Sequence, residues 1–174
     1  PTLILSNANY VKKVVFPLEI LTVVNLGVAL FHALISVVVL LVVFVLLNGF
    51  PSWTIVFMPL TLLPLLPLTL GIGWFLASLG VYLRDIGYLI GIITTALLFL
   101  APVFYPVRAL PEAYQFALYF NPLTYPIEQT RAVMLFGELP NWTGLIVYTA
   151  ISTVIALVGF WWFQKTRKGF ADVV

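Results

Sequence analysis

Few side chains in this sequence could do chemistry, and their spacing narrows what kind. His32 is the only histidine, and there is no cysteine. Asn25 lies seven residues before His32 and Ser36 four after it, so on a helix the three share one face. Such a stripe could hydrogen-bond to neighbouring helices or line a watery path, and the first use is the commoner. A proton relay would need a carboxylate inside the same apolar run, and none lies there. Glu112, Glu128 and Glu138 cluster later in the chain, with no histidine or cysteine at metal-ligand spacing. No HExxH pair and no glycine-rich phosphate loop with a lysine is present. The expected catalytic, metal-binding and cofactor-binding residues are therefore none.

The elements that must hold these residues are dictated by composition. Of 174 residues, 63% are hydrophobic and 8% charged, where a soluble domain carries roughly 25% charged residues. The mean hydropathy is +1.14. A chain of this length cannot hide so much apolar surface from water, so its solvent is lipid. A spanning helix needs about 20 apolar residues to cross about 30 Å of hydrocarbon. The expectation is an all-α, polytopic membrane helical bundle forming one domain over 1–174. About four spans are expected, at 19–47, 55–83, 86–104 and 145–163. A short surface helix at 5–17 should precede them and end at Pro17.

Between the third and fourth spans the pattern changes. Prolines recur at 106, 111, 122, 126 and 140, and two short helices are predicted between them. Each is too short to span and too apolar for an ordinary loop, so 106–136 reads as a re-entrant or interfacial hairpin. Lys12, Lys13, Arg84, Lys165, Arg167 and Lys168 fall on one side of a four-span topology. Arg108 and Arg131 fall on the other, which puts the first group and both ends of this piece in the cytoplasm and the hairpin outside. The chain starts at Pro1 with no signal-peptide pattern and already reads as a connector, the expectation being an N-terminally shortened piece.

Three smaller signals concern packing and contact. Gly87 and Gly91 form a GxxxG extended by Thr95, and Thr69, Gly73 and Ala77 make a similar row. Both rows would let helices approach closely, within one subunit or between two. Arg84 and Asp85 sit in a very short connector, where the arginine fixes topology and the adjacent aspartate offers a partner a grip. Aromatics make up 16% of the residues, and many lie toward the outer side. An interfacial belt explains most of them, and a path that stacks on sugar rings is the alternative. The sequon Asn141-Trp142-Thr143 carries no weight alone.

Taken in order, these landmarks resemble a family. Asn9-Tyr10-Val11-Lys12-Lys13-Val14-Val15-Phe16-Pro17-Leu18-Glu19 is similar to the opening motif N-x-L-I-x-K-x-x-F-P-x-E of type 2 ABC exporter permeases. Leu83-Arg84-Asp85-Ile86 resembles their F/L-R-D-I/L connector, and Ala101-Pro102-Val103-Phe104-Tyr105-Pro106 their T/S-P-I-x-Y-P. Phe120-Asn121-Pro122-Leu123 resembles their x-N-P-L/M turn, with Arg131 at the place of a recurring arginine. Phe170-Ala171-Asp172-Val173 is similar to their terminal F-A-D-x. The departures are Tyr10 and Val11 for an apolar pair, and Ala101 for Thr or Ser.

The nearest branch exports O-antigen, capsule or teichoic acid chains. The resemblance implies six spans, of which the first two would be missing here. It implies a homodimeric permease of the bacterial inner (plasma) membrane, paired with ABC ATPase subunits that hold ATP and magnesium, and a lipid-linked glycan as substrate. The first segment would be a coupling helix, with Asn9, Tyr10, Lys12, Lys13, Phe16, Pro17 and Glu19 serving the ATPase, joined by Arg84 and Asp85. Tyr105, Pro106, Tyr119, Asn121, Pro122 and Arg131 would belong to the outer gate or substrate path. Gly87, Gly91 and Gly73 would pack helices. The alternatives are a drug or lipid exporter of the same superfamily, a non-transporting membrane anchor and an ion-coupled transporter.

Overall fold

The computed structural model describes residues 17–83 and 85–170. Among them the regular structure is all helical. Asn9, Tyr10, Lys12, Lys13, Phe16 and Arg84 lie outside the described residues, and so does the predicted helix at 5–17 apart from Pro17.

Helix α1 runs Glu19–Asn48, 30 residues. At 1.5 Å per residue it is about 45 Å long, more than the hydrocarbon thickness. Its N-terminal turn is set by Pro17, whose carbonyl accepts from Ile20 N–H at 3.0 Å. It ends at Gly49, whose φ of 81° opens the turn before Pro51. The return strip, Trp53–Tyr82, is also 30 residues long but is not one helix. A 3-10 turn at Trp53–Phe57 leads into α2, Met58–Leu62, and then α3, Leu65–Tyr82. Three prolines mark this break. Pro59 lies in the first turn of α2, Pro64 precedes α3 and Pro67 lies in the first turn of α3. Amides in a first turn have no intrahelical acceptor, so prolines there forfeit no bond.

Helix α4, Ile86–Leu100, has 15 residues, not the stretch to residue 104 that its apolar run suggested. Pro102 excludes helical geometry from the residue before it, and Ala101 has ψ 135°. The hairpin region holds a 3-10 turn at Val107–Ala109, then α5, Glu112–Tyr119, and α6, Thr124–Arg131. A π turn, Ala132–Phe136, closes it and stops at Gly137 with φ 67°. Helix α7, Trp142–Thr166, begins earlier and ends later than the expected 145–163. Asn141 explains the start, because its side-chain oxygen accepts Gly144 N–H at 3.0 Å. Asn141→Ala should cost about 1 kcal/mol of stability, read as a lowered melting temperature in detergent. An unchanged melting temperature would mean that packing alone fixes this helix start.

The packed centre is the pairing of α3 with α7. Its closest point is glycine against glycine: a Cβ on Gly159 would collide with the carbonyl of Gly71, and one on Gly71 would lie 2.5 Å from the carbonyl oxygen of Ile155. Toward the ends of these helices, Ala77 and Val81 pack with Phe163 and Phe170. Ser78 and Thr166 share a 2.6 Å hydroxyl bond, and Tyr82 O–H donates to the Thr166 carbonyl at 2.9 Å. The polar pairs satisfy groups that lipid would leave bare.

The two glycine rows differ in what this chain places against them. Gly73 packs, since a Cβ there would lie 2.7 Å from the Thr22 methyl on α1. Around Gly87 and Gly91 no described residue of the same chain lies within 4 Å of a Cβ, and α4 buries no residue. A GxxxG makes a face smooth without choosing what lies against it. The stripe of Asn25, His32 and Ser36 was expected to bond to neighbouring helices or to line a watery path. All three are exposed in this single chain, and Ser36 O–H donates to the His32 carbonyl of its own helix at 3.0 Å. Helix α1 buries only Thr22, in its first turn, with Val37, Leu41, Phe44 and Val45 partly covered further along.

Candidate functional site

Two polar assemblies stand at opposite ends of the bundle. At the hairpin end, three residues singled out in the sequence meet the end of α4 and the turn after it. The last carbonyls of a helix have no internal donors and carry partial negative charge. Asn121, buried, donates from Nδ2 to the Leu97 carbonyl at 2.9 Å, while its Oδ1 accepts Leu123 N–H at 3.0 Å. Tyr105 O–H reaches back to the Phe99 carbonyl at 3.3 Å. Arg131 Nη2 donates to the carbonyls of Pro102 at 2.6 Å and Val103 at 3.2 Å, and its Nη1 pairs with Glu128. Glu128 also accepts Val107 N–H at 3.4 Å. Pro122 offers its carbonyl to Tyr148 O–H on α7 at 2.5 Å. Pro106 and Tyr119 stand apart from this network, both exposed.

The other face of the hairpin is bound to α2 and α7. Thr54 O–H donates to the Val133 carbonyl at 2.7 Å, and Thr61 and Thr130 share a 2.9 Å hydroxyl bond. Tyr125 stacks on Tyr148 with ring centroids 5.3 Å apart and donates to the Asn141 carbonyl at 3.0 Å. Burial pushes the Tyr125 phenol above its usual pKa, which keeps it a donor. The hairpin is therefore a fixed cap on α4, not a loose lid. Its solvent side carries Phe116, Tyr119 and Phe120, with Phe116 and Phe120 edge to face at 4.8 Å. Glu128 was read from the sequence without a partner, although its spacing of three from Arg131 on a helix was the available signal.

At the opposite end, Glu19 opens α1. Its carboxylate meets Arg167 and Gln164 of the α7 end, while the Trp74 indole N–H of α3 donates to its carbonyl at 3.1 Å. An acid at a helix start and a base at a helix end each oppose the local dipole charge. Lys165 lies 5.0 Å from the Trp161 ring centroid, and Lys168 is exposed beside it. Pro17 is exposed just ahead of Glu19, and Asp85 is exposed at the start of α4 without a side-chain capping bond. Neither Gln164 nor Trp74 stood out in the sequence, because their partners lie 145 and 55 residues away. Among the described residues, no three His, Cys, Asp or Glu side chains gather as a metal site would require.

A protein of Myxococcus xanthus named O-antigen export system permease protein RfbA is 26% identical over 164 residues, covering 93% of this chain and 63% of its own length. A protein of the same name from Klebsiella pneumoniae is 24% identical over 172 residues, covering 98% of this chain and 66% of its own length. A second Klebsiella pneumoniae protein of that name is 23% identical over 174 residues, with 98% and 66% covered. The chain thus spans 63% to 66% of the length of these curated relatives. Among the described residues, three helical stretches, Glu19–Asn48, Trp53–Tyr82 and Trp142–Gly169, are long and apolar enough to cross a membrane, as a multi-pass protein requires. The family description ABC-2 type transporter matches residues 1–135, most of the chain, and this multi-pass membrane protein belongs to that family.

Proposed function

We propose that this chain is part of the permease of an ATP-driven exporter of a lipid-linked polysaccharide, of O-antigen, teichoic acid or capsule type. The observation that carries the reading is the family match over residues 1–135, joined by relatives named as O-antigen export permeases along nearly the whole chain. Two permease copies enclose the conduit, and two ABC ATPase subunits bind ATP and magnesium and hydrolyse the nucleotide. This chain binds no cofactor. Its basic end, with Lys165, Arg167 and Lys168, faces the cytoplasm of a bacterial inner membrane. Asn9, Tyr10, Lys12, Lys13 and Phe16 dock on the ATPase, with Pro17, Glu19, Arg84 and Asp85 beside them.

At the outer end, the hairpin's bonds to α4 support a gate that moves with that helix. Tyr105, Asn121, Pro122 and Arg131 act there by positioning the hairpin. Tyr119, exposed on its solvent side, is the better placed of the predicted path residues to touch glycan. Closure of the ATPase pair supplies the push, and packed helices answer it by switching between discrete arrangements.

The test is copurification of the full-length protein with the ATPase encoded beside it. Val14→Pro breaks the coupling segment, since proline inside a helix costs about 3 kcal/mol or more. The expected result is ATPase recovered with the wild type and lost with the variant, together with loss of surface glycan. Absence of any ATPase from the wild-type preparation would sink the exporter reading. ATPase retained by Val14→Pro would remove the coupling role from this segment.

A further inference from the structure

The Glu19 assembly joins elements that the sequence motifs treat separately. Arg167 Nη1 donates to Glu19 Oε2 at 3.1 Å and Oε1 at 3.3 Å, and Gln164 Nε2 donates to Oε1 at 3.3 Å. The Trp74 indole holds the Glu19 carbonyl, and the Thr22 methyl sits over Gly73. One turn of α1 is thereby tied to both α3 and α7. Further along, α1 parts from the return strip. The gap there is an apolar groove of about 450 Å³, lined by Leu30, Leu34 and Val38 on one side and Met58, Leu62 and Leu66 on the other. The far end of α1 passes through the turn at Gly49 to the Trp53–Phe57 segment, which Thr54 bonds to Val133.

We propose that the Glu19–Arg167 pair is a force-transmitting clamp. It makes the first turn of α1 move as one body with the α3–α7 pair. Force applied just ahead of α1 then reaches the packed centre through Arg167 and Trp74 instead of tilting α1 alone. Where the force enters rests on the coupling role proposed above. The clamp itself rests only on these contacts.

The test uses the full-length protein in lipid nanodiscs. Spin labels at Val24 on α1 and Val158 on α7 occupy exposed positions near the clamped end. In the wild type one narrow distance is expected. Glu19→Gln and Arg167→Gln should each broaden it, and the double variant should look like either single one, because both remove the same contact. Surface glycan should fall about tenfold in all three variants, and the ATPase should still copurify with Arg167→Gln. Unbroadened distances in the single variants would overturn the clamp, and additive broadening in the double variant would overturn the pairing. Broadening with wild-type export would overturn the transmission of force. If the wild type binds no ATPase, the exporter reading fails on that result, and the distances still decide the clamp.

Discussion

Gly159→Val is expected to remove most of the folded protein from the membrane, whereas Gly91→Val leaves folding nearly unchanged. Both are glycine-to-valine changes inside apolar helices, so propensity alone predicts similar effects. The difference lies in what the new Cβ meets. At Gly159 it meets the Gly71 carbonyl, which is backbone and cannot swing aside as a side chain would. Overpacking a core where side chains can yield costs about 1–3 kcal/mol, and parting two helix backbones should reach at least the top of that range. The loss spreads to the Ser78–Thr166 bond and the Phe163–Phe170 packing that close approach makes possible. At Gly91 a Cβ meets nothing within 4 Å, and a change of about 0.5 kcal/mol or less is expected. Fluorescence-detected size-exclusion chromatography of the two variants measures this. Equal recovery would mean that the α3–α7 contact is not where the stability resides.

The second large effect is expected at the hairpin. Arg131→Met removes the donor to the Pro102 and Val103 carbonyls and leaves Glu128 without its cation. The Arg131 side chain is 13% exposed and that of Glu128 29%, so the pair is largely but not wholly sheltered. Breaking a buried pair costs about 3–5 kcal/mol, and the partial exposure brings the expectation to about 2–4 kcal/mol. The double variant Glu128→Gln/Arg131→Met should recover part of that loss, because no lone charge remains. The effect would be read as faster proteolysis between residues 101 and 111, with a lowered melting temperature. Equal protection of wild type and single variant would show that Asn121 and Tyr105 hold the hairpin without Arg131.

These expectations show which parts of the molecule sequence makes legible. Helix α1 could be read directly, since an apolar run longer than the bilayer followed by Asn48-Gly49-Phe50-Pro51 leaves little choice. The two short hairpin helices were legible from proline spacing for the same kind of reason. The end of α4 was not, because apolarity continues past Leu100 and only the restriction imposed by Pro102 stops the helix. Asn141 was read as part of a sequon when its work here is to cap α7. The packing glycines were hardest to place. Gly71 and Gly159 meet across 88 residues of chain (159 − 71), and no local spacing announces such a pair. The roles of Asn121 and Arg131 lay between: their place in a turn and on a helix was visible, but not the carbonyls of Leu97, Pro102 and Val103 that they would serve.

That long separation also bears on how the chain is made. A helix such as α1 is apolar enough to enter lipid on its own, and little of it leans on a neighbour. Helix α3 differs, because the surface around Gly71 has its match only in α7. At about 5–20 residues per second, synthesis of the intervening 88 residues takes roughly 4–18 s. For that interval α3 sits in the bilayer with its broken start and the Ser78 hydroxyl without its Thr166 partner. Helix α4 and the hairpin are added before α7 arrives. Helix α7 is thus the one that completes the core, and a chain stopped short of it would present to the cell's proteases a set of inserted but unassembled helices.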